Sequence, residues 1–139
     1  MTNKEQFADF KQGLIDENEH KYGAEIRAKY GSAAVDESNV RLMGLTRKQY
    51  DESVLLNSEF EEILKAALDT GNPAGELAQK ACDFHRQWLC VMYSGYNKNY
   101  HKGLGEMYVA DKRFREYYDR LSPSCAEFLR DAINIFCEK

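Results

Sequence analysis

From Thr46 to Phe136 the apolar residues of this 139-residue chain recur at three- and four-residue intervals and nowhere alternate. That period puts them on one face of a helix, whereas a half-buried strand needs a period of two. The fold class expected is therefore all-α. A chain this long can bury roughly two-thirds of the surface it exposes when unfolded, so one domain over residues 1–139 with one core is expected. Hydrophobic residues at 43% and charged residues at 30% supply an ordinary globular balance.

The punctuation is helical as well. Thr46 and Gln49 have capping-box spacing at the head of a helix running to about Thr70, where Gly71 stops it. Tyr50, Ser53, Leu56, Phe60, Ile63, Leu64, Ala67 and Leu68 form its inner stripe. Asn72-Pro73 and Ser122-Pro123 read as cap-plus-proline starts of two further helices. In the first of these, Leu77, Ala81, Phe84, His85, Trp88, Leu89 and Met92 share a face. Ser94-Gly95 interrupts it, and a helix over 97–110 carries Tyr100, Leu104, Met107 and Tyr108 on one side. Gly103 and Gly105 lie inside that helix, each costing about 1 kcal/mol against Ala, which suggests close approach by a helix or a ligand. Asp111 caps a short helix bearing Phe114, Tyr117 and Tyr118, and Ala126, Leu129, Ala132, Ile133 and Phe136 make the last stripe. Glu61 and Glu62 are read as a solvated face.

The amino-terminal third is less regular. Phe7, Phe10 and Leu14 form a narrow stripe over residues 3–21, on a helix that depends on docking. Tyr22-Gly23 and Tyr30-Gly31 bracket a short segment, Gly31 reads as a stop, and the run to Leu45 has no clean period. Residues 1–45 are expected to be a mobile lid over a pocket or an ordered loop.

Several functions are disfavoured. A net charge of −4 without a basic block argues against direct nucleic-acid contact by this chain. The four cysteines lack the density of a disulfide scaffold, and no apolar run is long enough for a signal or a membrane span, which together predict a cytoplasmic protein with free thiols. Cys82, His85, Cys90 and His101 lack the ligand spacing of a structural zinc site. Cys90 beside His85 or His101 lacks an orienting third group, so no catalytic residue is assigned and no cofactor or metal is expected.

The positive signal is Leu77 to Phe114, which holds the single Trp, two of the three His and four of the nine Tyr. A purely structural core favours Leu and Phe, because a buried Tyr hydroxyl must find a partner. Rings with polar tips beside adaptable Met are the material of a small-molecule pocket. The expected ligand-binding residues are His85 as polar anchor with Trp88, Leu89, Met92, Tyr96, Tyr100, Leu104, Met107, Tyr108 and Phe114.

GLGEMYVADKRF, Gly103 to Phe114, followed by PSCAEFLRDAI, Pro123 to Ile133, closely resembles the TipA-type antibiotic-recognition domain. YGAEIRAKYG, DTGNPAGELAQKA and DFHRQWL resemble it too, in the family's order, so that the likeness reaches back to about Phe10. It implies a globin-like helical fold, without haem, whose cleft binds thiopeptides or other bulky, largely apolar antibiotics. It implies an amino-terminal part that closes over the drug. It also implies a MerR-type DNA-binding domain ahead of this one, dimerisation through such amino-terminal regions, and transcription of resistance genes as the output. The alternatives are a free-standing sequestering protein with the same pocket, a Cys or His hydrolase acting on the same drugs, and a structural or interaction protein. Two departures stand out. Gly103 occupies the place where some members carry a cysteine that captures a dehydroalanine, so reversible binding is expected. PSCA replaces PGLA at the last helix and introduces Cys125, which is expected to be packed.

Overall fold

The computed structural model describes residues 2–93 and 95–139. Seven helices and no strand are found among them: α1 (Asn3–Tyr30), α2 (Ser32–Gly44), α3 (Arg47–Thr70), α4 (Glu76–Met92), α5 (Lys98–Ala110), α6 (Lys112–Asp119) and α7 (Cys125–Glu138). They form two compact units, residues 1–51 and 52–139, with the division falling in the second turn of α3.

In the first unit, α1 is longer than its apolar stripe suggests, because polar contacts carry it onward. Thr2 and Glu5 close a capping box at its start, with Glu5 N–H donating to Thr2 Oγ1 at 3.1 Å and Thr2 N–H to Glu5 Oε2 at 3.0 Å. Gly23 does not break the helix. The Glu19 carboxylate lies over it, in the space a Cβ would need. From there it accepts from Arg27 at 2.6 and 3.1 Å. Gly31 does end α1, in the left-handed region at φ 88°, as its position in sequence predicts. The run to Leu45 is α2 rather than an irregular link. Polar contacts tie it to α1, Arg27 to Asp36 at 2.8 Å and Asn39 to Glu19 at 3.3 Å, and Val35 is the one residue it fully buries, so hydrophobic periodicity carries little trace of it. Lys11 is buried, and its Nζ donates to the carbonyls of Met43 at 2.6 Å and Leu45 at 2.9 Å, where α2 ends.

In the second unit, α3 buries Ser53, Leu56, Phe60, Leu64 and Ala67, the centre of the expected stripe. The capping box at the head of α3, on the first-unit side of the division, is present, with Gln49 N–H donating to Thr46 Oγ1 at 3.1 Å and Thr46 N–H to Gln49 Oε1 at 2.9 Å. Two helix starts lie later than the cap-plus-proline patterns suggest. Asn72 builds a turn, accepting from Ala74 N–H, and α4 begins at Glu76 behind Gly75. Ser122 and Pro123 form a turn that ends with Ser124 at φ 66°. The cap for α7 comes instead from α6, where Asp119 Oδ1 accepts from Ala126 N–H at 3.0 Å.

Two faces keep part of the expected set, Ala81, His85 and Leu89 in α4 and Tyr108 in α5, and differ in the rest. Helix α4 buries Ala78, Ala81, Cys82, His85 and Leu89 and leaves Leu77 exposed. Helix α5 buries His101, Gly105 and Tyr108, and Tyr100 is exposed. Each buried set holds the spacing of three, four and seven residues that one helix face requires. A Cβ on Gly105 would lie 3.5 Å from both Arg130 Cα and Ile133 Cδ1, so α7 is the close neighbour there, whereas Gly103 faces open space. Helix α7 places Ala126, Leu129, Ala132 and Ile133 at the centre of a core completed by Phe60, Leu64, Ala67, Ala81 and Cys82. Glu61 is not merely solvated, since it accepts from Arg120 Nη2 at 2.8 Å and from the Tyr117 hydroxyl. The bend expected at Ser94 falls on a residue outside those described.

Candidate functional site

The rings of α4 and α5 meet along a chain of hydrogen bonds. Asn97 caps α5 by accepting from Tyr100 N–H at 2.8 Å, which fixes the phase of the helix so that His101 faces inward. His85, on the buried face of α4, places Nδ1 2.8 Å from His101 Nε2. Its other nitrogen, Nε2, lies 3.1 Å from the Tyr108 hydroxyl. His101 Nδ1 in turn lies 2.7 Å from the hydroxyl of Tyr96, in the α4–α5 connection. At the opposite end the rings of Tyr108 and Tyr118 pack with centroids 4.8 Å apart. The hydrogen-bonded run is Tyr96, His101, His85, Tyr108.

Aromatic packing holds it in place. Phe60 lies 5.0 Å from His85 between ring centroids, Trp88 stacks on His85 at 5.9 Å, and Phe136 meets His101 edge-on at 5.8 Å. Phe114 packs on Tyr108 at 5.4 Å. A second, more exposed line of rings runs outward from Trp88 to Tyr93 at 6.2 Å and on to Tyr100 at 5.8 Å.

Burial sets the charge state. The His85 imidazole is pushed down to about 3, first by loss of solvent and then by the neighbouring His101. Burial and the charge of Arg86 lower His101 to about 4. Both imidazoles are therefore neutral at physiological pH, each with one N–H and one lone pair. Burial also raises Tyr96 to about 12 and Tyr108 and Tyr118 further, so the phenols keep their protons. Such a chain can donate, accept and orient, but its imidazoles are too weakly basic to serve as general bases near pH 7.

The expected site residues are thus distributed over an interior and a rim. His85, Leu89 and Tyr108 are buried, Trp88, Met92, Tyr96, Leu104, Met107 and Phe114 are half-buried, and Tyr100 is exposed. His85, Trp88, Tyr108 and Phe114 make direct contact, and Tyr96 joins them through His101. Leu104 and Met107 pack against the core. Three members of the cluster, His101, Tyr118 and Tyr93, were not among the expected ligand residues. The spacing of His101, Gly105 and Tyr108 would have revealed the first, had the two glycines not hidden the stripe. Among the described residues no three His, Cys, Asp or Glu side chains are grouped so as to hold a metal ion. All four cysteines are free, with Cys82, Cys125 and Cys137 buried and Cys90 exposed. Burial raises the Cys82 and Cys125 thiols to about 12. No helix of the described residues is long and apolar enough to cross a membrane.

Comparison with known proteins places these residues in a family. The model of the TipAS antibiotic-recognition domain matches residues 22–136. The chain is similar to the HTH-type transcriptional activator mta of Bacillus subtilis, at 28% identity over 99% of this chain and 53% of that protein. It is similar to the HTH-type transcriptional activator TipA of Streptomyces coelicolor, at 31% identity over 96% of this chain and 52% of that protein. The same identity and coverage hold for TipA of Streptomyces lividans. The chain therefore spans about half the length of the curated relatives it matches. No solved structure matches it significantly.

Proposed function

Because the chain belongs to the TipAS antibiotic-recognition domain family, we propose that it is the effector-binding domain of a drug-responsive transcriptional activator. The family match over residues 22–136 carries this reading. The ligand is a bulky, largely apolar antibiotic of thiopeptide-like size. It is held reversibly against the rim of Trp88, Tyr96 and Tyr100, with Leu89, Met92, Leu104, Met107, Tyr108 and Phe114 as the apolar surroundings and His85 anchoring the polar chain. Large rings with few rotatable bonds give contact area at low entropic cost.

DNA is reached through a MerR-type domain of the whole regulator, and this acidic chain makes no direct nucleic-acid contact. Dimerisation belongs to the same region of the regulator. The weakly basic imidazoles and the buried, protonated thiols of Cys82 and Cys125 support action by binding rather than turnover.

Residues 1–45 act as the lid of a single functional domain, ordering when ligand binds. Ordering a segment on binding costs about 2 to 5 kcal/mol of the gross interaction, which turns occupancy into a change of shape.

A thermal-shift screen with thiopeptides and other large antibiotics tests the binding. A rise in Tm of several degrees that saturates with drug is expected, and no shift with any member of the set would refute the reading. Amide exchange within residues 1–45 should slow at saturation, while unchanged exchange removes the lid. Mass spectrometry should recover the drug unaltered.

A further inference from the structure

The hydrogen-bond chain has a direction that follows from its composition. Two neutral imidazoles and the hydroxyl groups on either side allow only two concerted arrangements, since each link between a pair of heavy atoms holds one proton. In one, protons point inward, from Tyr96 to His101, from His101 Nε2 to His85 Nδ1, and from His85 Nε2 to Tyr108. Tyr108 then only accepts, from His85, and its own buried O–H has no acceptor within the chain. In the other, protons point outward, from Tyr108 to His85 Nε2, from His85 Nδ1 to His101 Nε2, and from His101 Nδ1 to Tyr96.

The outward arrangement gives the buried Tyr108 O–H an acceptor in His85 Nε2 and leaves only a lone pair unused at Tyr108, which is the cheaper omission. Its one uncommitted proton sits on Tyr96, and Tyr96 is half-buried, whereas Tyr108 is buried. Solvent or a ligand can reach that end. The Trp88, Tyr93 and Tyr100 line of rings also leads from His85 outward to the exposed Tyr100.

We infer that the chain runs outward from Tyr108 to Tyr96, so that the Tyr96 hydroxyl is a fixed hydrogen-bond donor that selects ligands bringing a carbonyl oxygen or an unprotonated ring nitrogen. Tyr96 is the specificity-determining residue. His101 and His85 are positioning residues that keep its lone pair occupied and its proton free. This inference rests on the ligand site proposed above, and it deepens that reading by naming the polar chemistry the site accepts.

The test has two independent arms. Long-range ¹⁵N–¹H correlation spectra of the intact chain, uniformly ¹⁵N-labelled, report the tautomers of His85 and His101 without any ligand. Outward polarity requires a proton on Nδ1 of both rings. Protons on Nε2 of both rings overturn the inference. In the second arm two probes are titrated, N,N-dimethylbenzamide, which only accepts, and indole, which only donates. The amide should shift the Tyr96 and His101 signals in a saturable way. Tyr96→Phe, which keeps the ring, should weaken amide binding about tenfold, the scale of one hydrogen bond. Stronger binding of indole, or amide binding unchanged in the variant, overturns the specificity role. Shifts from neither probe, with both rings protonated on Nδ1, count against the ligand site itself, whereas Nε2 protons with drug binding retained sink the polarity alone.

Discussion

His85 and His101 stand sixteen residues apart on different helices, yet His85 Nδ1 and His101 Nε2 share a hydrogen bond of 2.8 Å in the interior. Each ring satisfies the other, and neither could be buried alone without stranding a polar nitrogen.

The two histidines should therefore behave as a unit under mutation. His85→Leu or His101→Leu alone strands a buried partner and costs about 1 to 3 kcal/mol for that group, beyond any packing change. The double variant His85→Leu/His101→Leu should be destabilised by less than the sum, with a coupling between about 0.5 and 3 kcal/mol. Urea unfolding of the four proteins in the cycle measures it, and additive losses would show that the rings are independent.

Acid should unfold the second unit through these rings. Both are held below the ordinary histidine value of about 6.5, to about 3 and about 4. From about pH 6.5 downward the unfolded chain binds protons that the folded chain refuses. Stability is thus complete above that range, falls as pH falls, and stops falling on this account once pH passes the folded values. The slope should approach two protons per unfolding event near pH 5, and the double leucine variant should lose this component. Equal slopes in both proteins would contradict it.

The two glycines of α5 should respond in opposite ways to larger side chains. Gly103→Ala places a methyl group in open space and should stabilise the protein by about 0.5 to 1 kcal/mol. Gly105→Leu drives a side chain into Arg130 and Ile133 of α7 and should cost about 1 to 3 kcal/mol. Thermal denaturation of both variants decides.

Lys11 closes the end of α2 with a charge-assisted contact to two carbonyls. Lys11→Met keeps length and burial but removes both bonds, at a cost of about 1.5 to 3 kcal/mol to the first unit. Amide exchange over residues 42–46 should accelerate in this variant while the amides of α7 keep wild-type protection. Acceleration in both places would indicate a global rather than a local role.

How much of this was legible depended on what held each element. The stripe of α3 and the core face of α7 are buried by apolar side chains, so Phe60, Leu64, Leu129 and Ile133 could be placed from spacing alone. Helix α2 and the second half of α1 are tied by Arg27, Glu19, Asp36 and Asn39, and polar contacts leave no hydrophobic period to find. The pairing of Trp88 with His85 was readable because three residues separate them on one helix. His101 was not placed in the ligand site, because Gly105 removed the apolar neighbour that would have marked its stripe. Asp119 as the cap of α7 was hidden for another reason, since it comes from the preceding helix and not from the residue at the cap position.

The sequence by itself determined an all-α chain, the order of most of its helices, the family and the ring-rich stretch from Leu77 to Phe114. Those are local properties, set by side-chain period, capping chemistry and motif. Only the tertiary structure decided that Tyr96, His101, His85 and Tyr108 form one continuous chain. Its links cross between helices and depend on the rotational phase of α4 and α5 to within one residue. The Asn97 cap sets where α5 begins, but the phase is settled by the packing of Gly105 on α7, a contact that exists only once the helices have met.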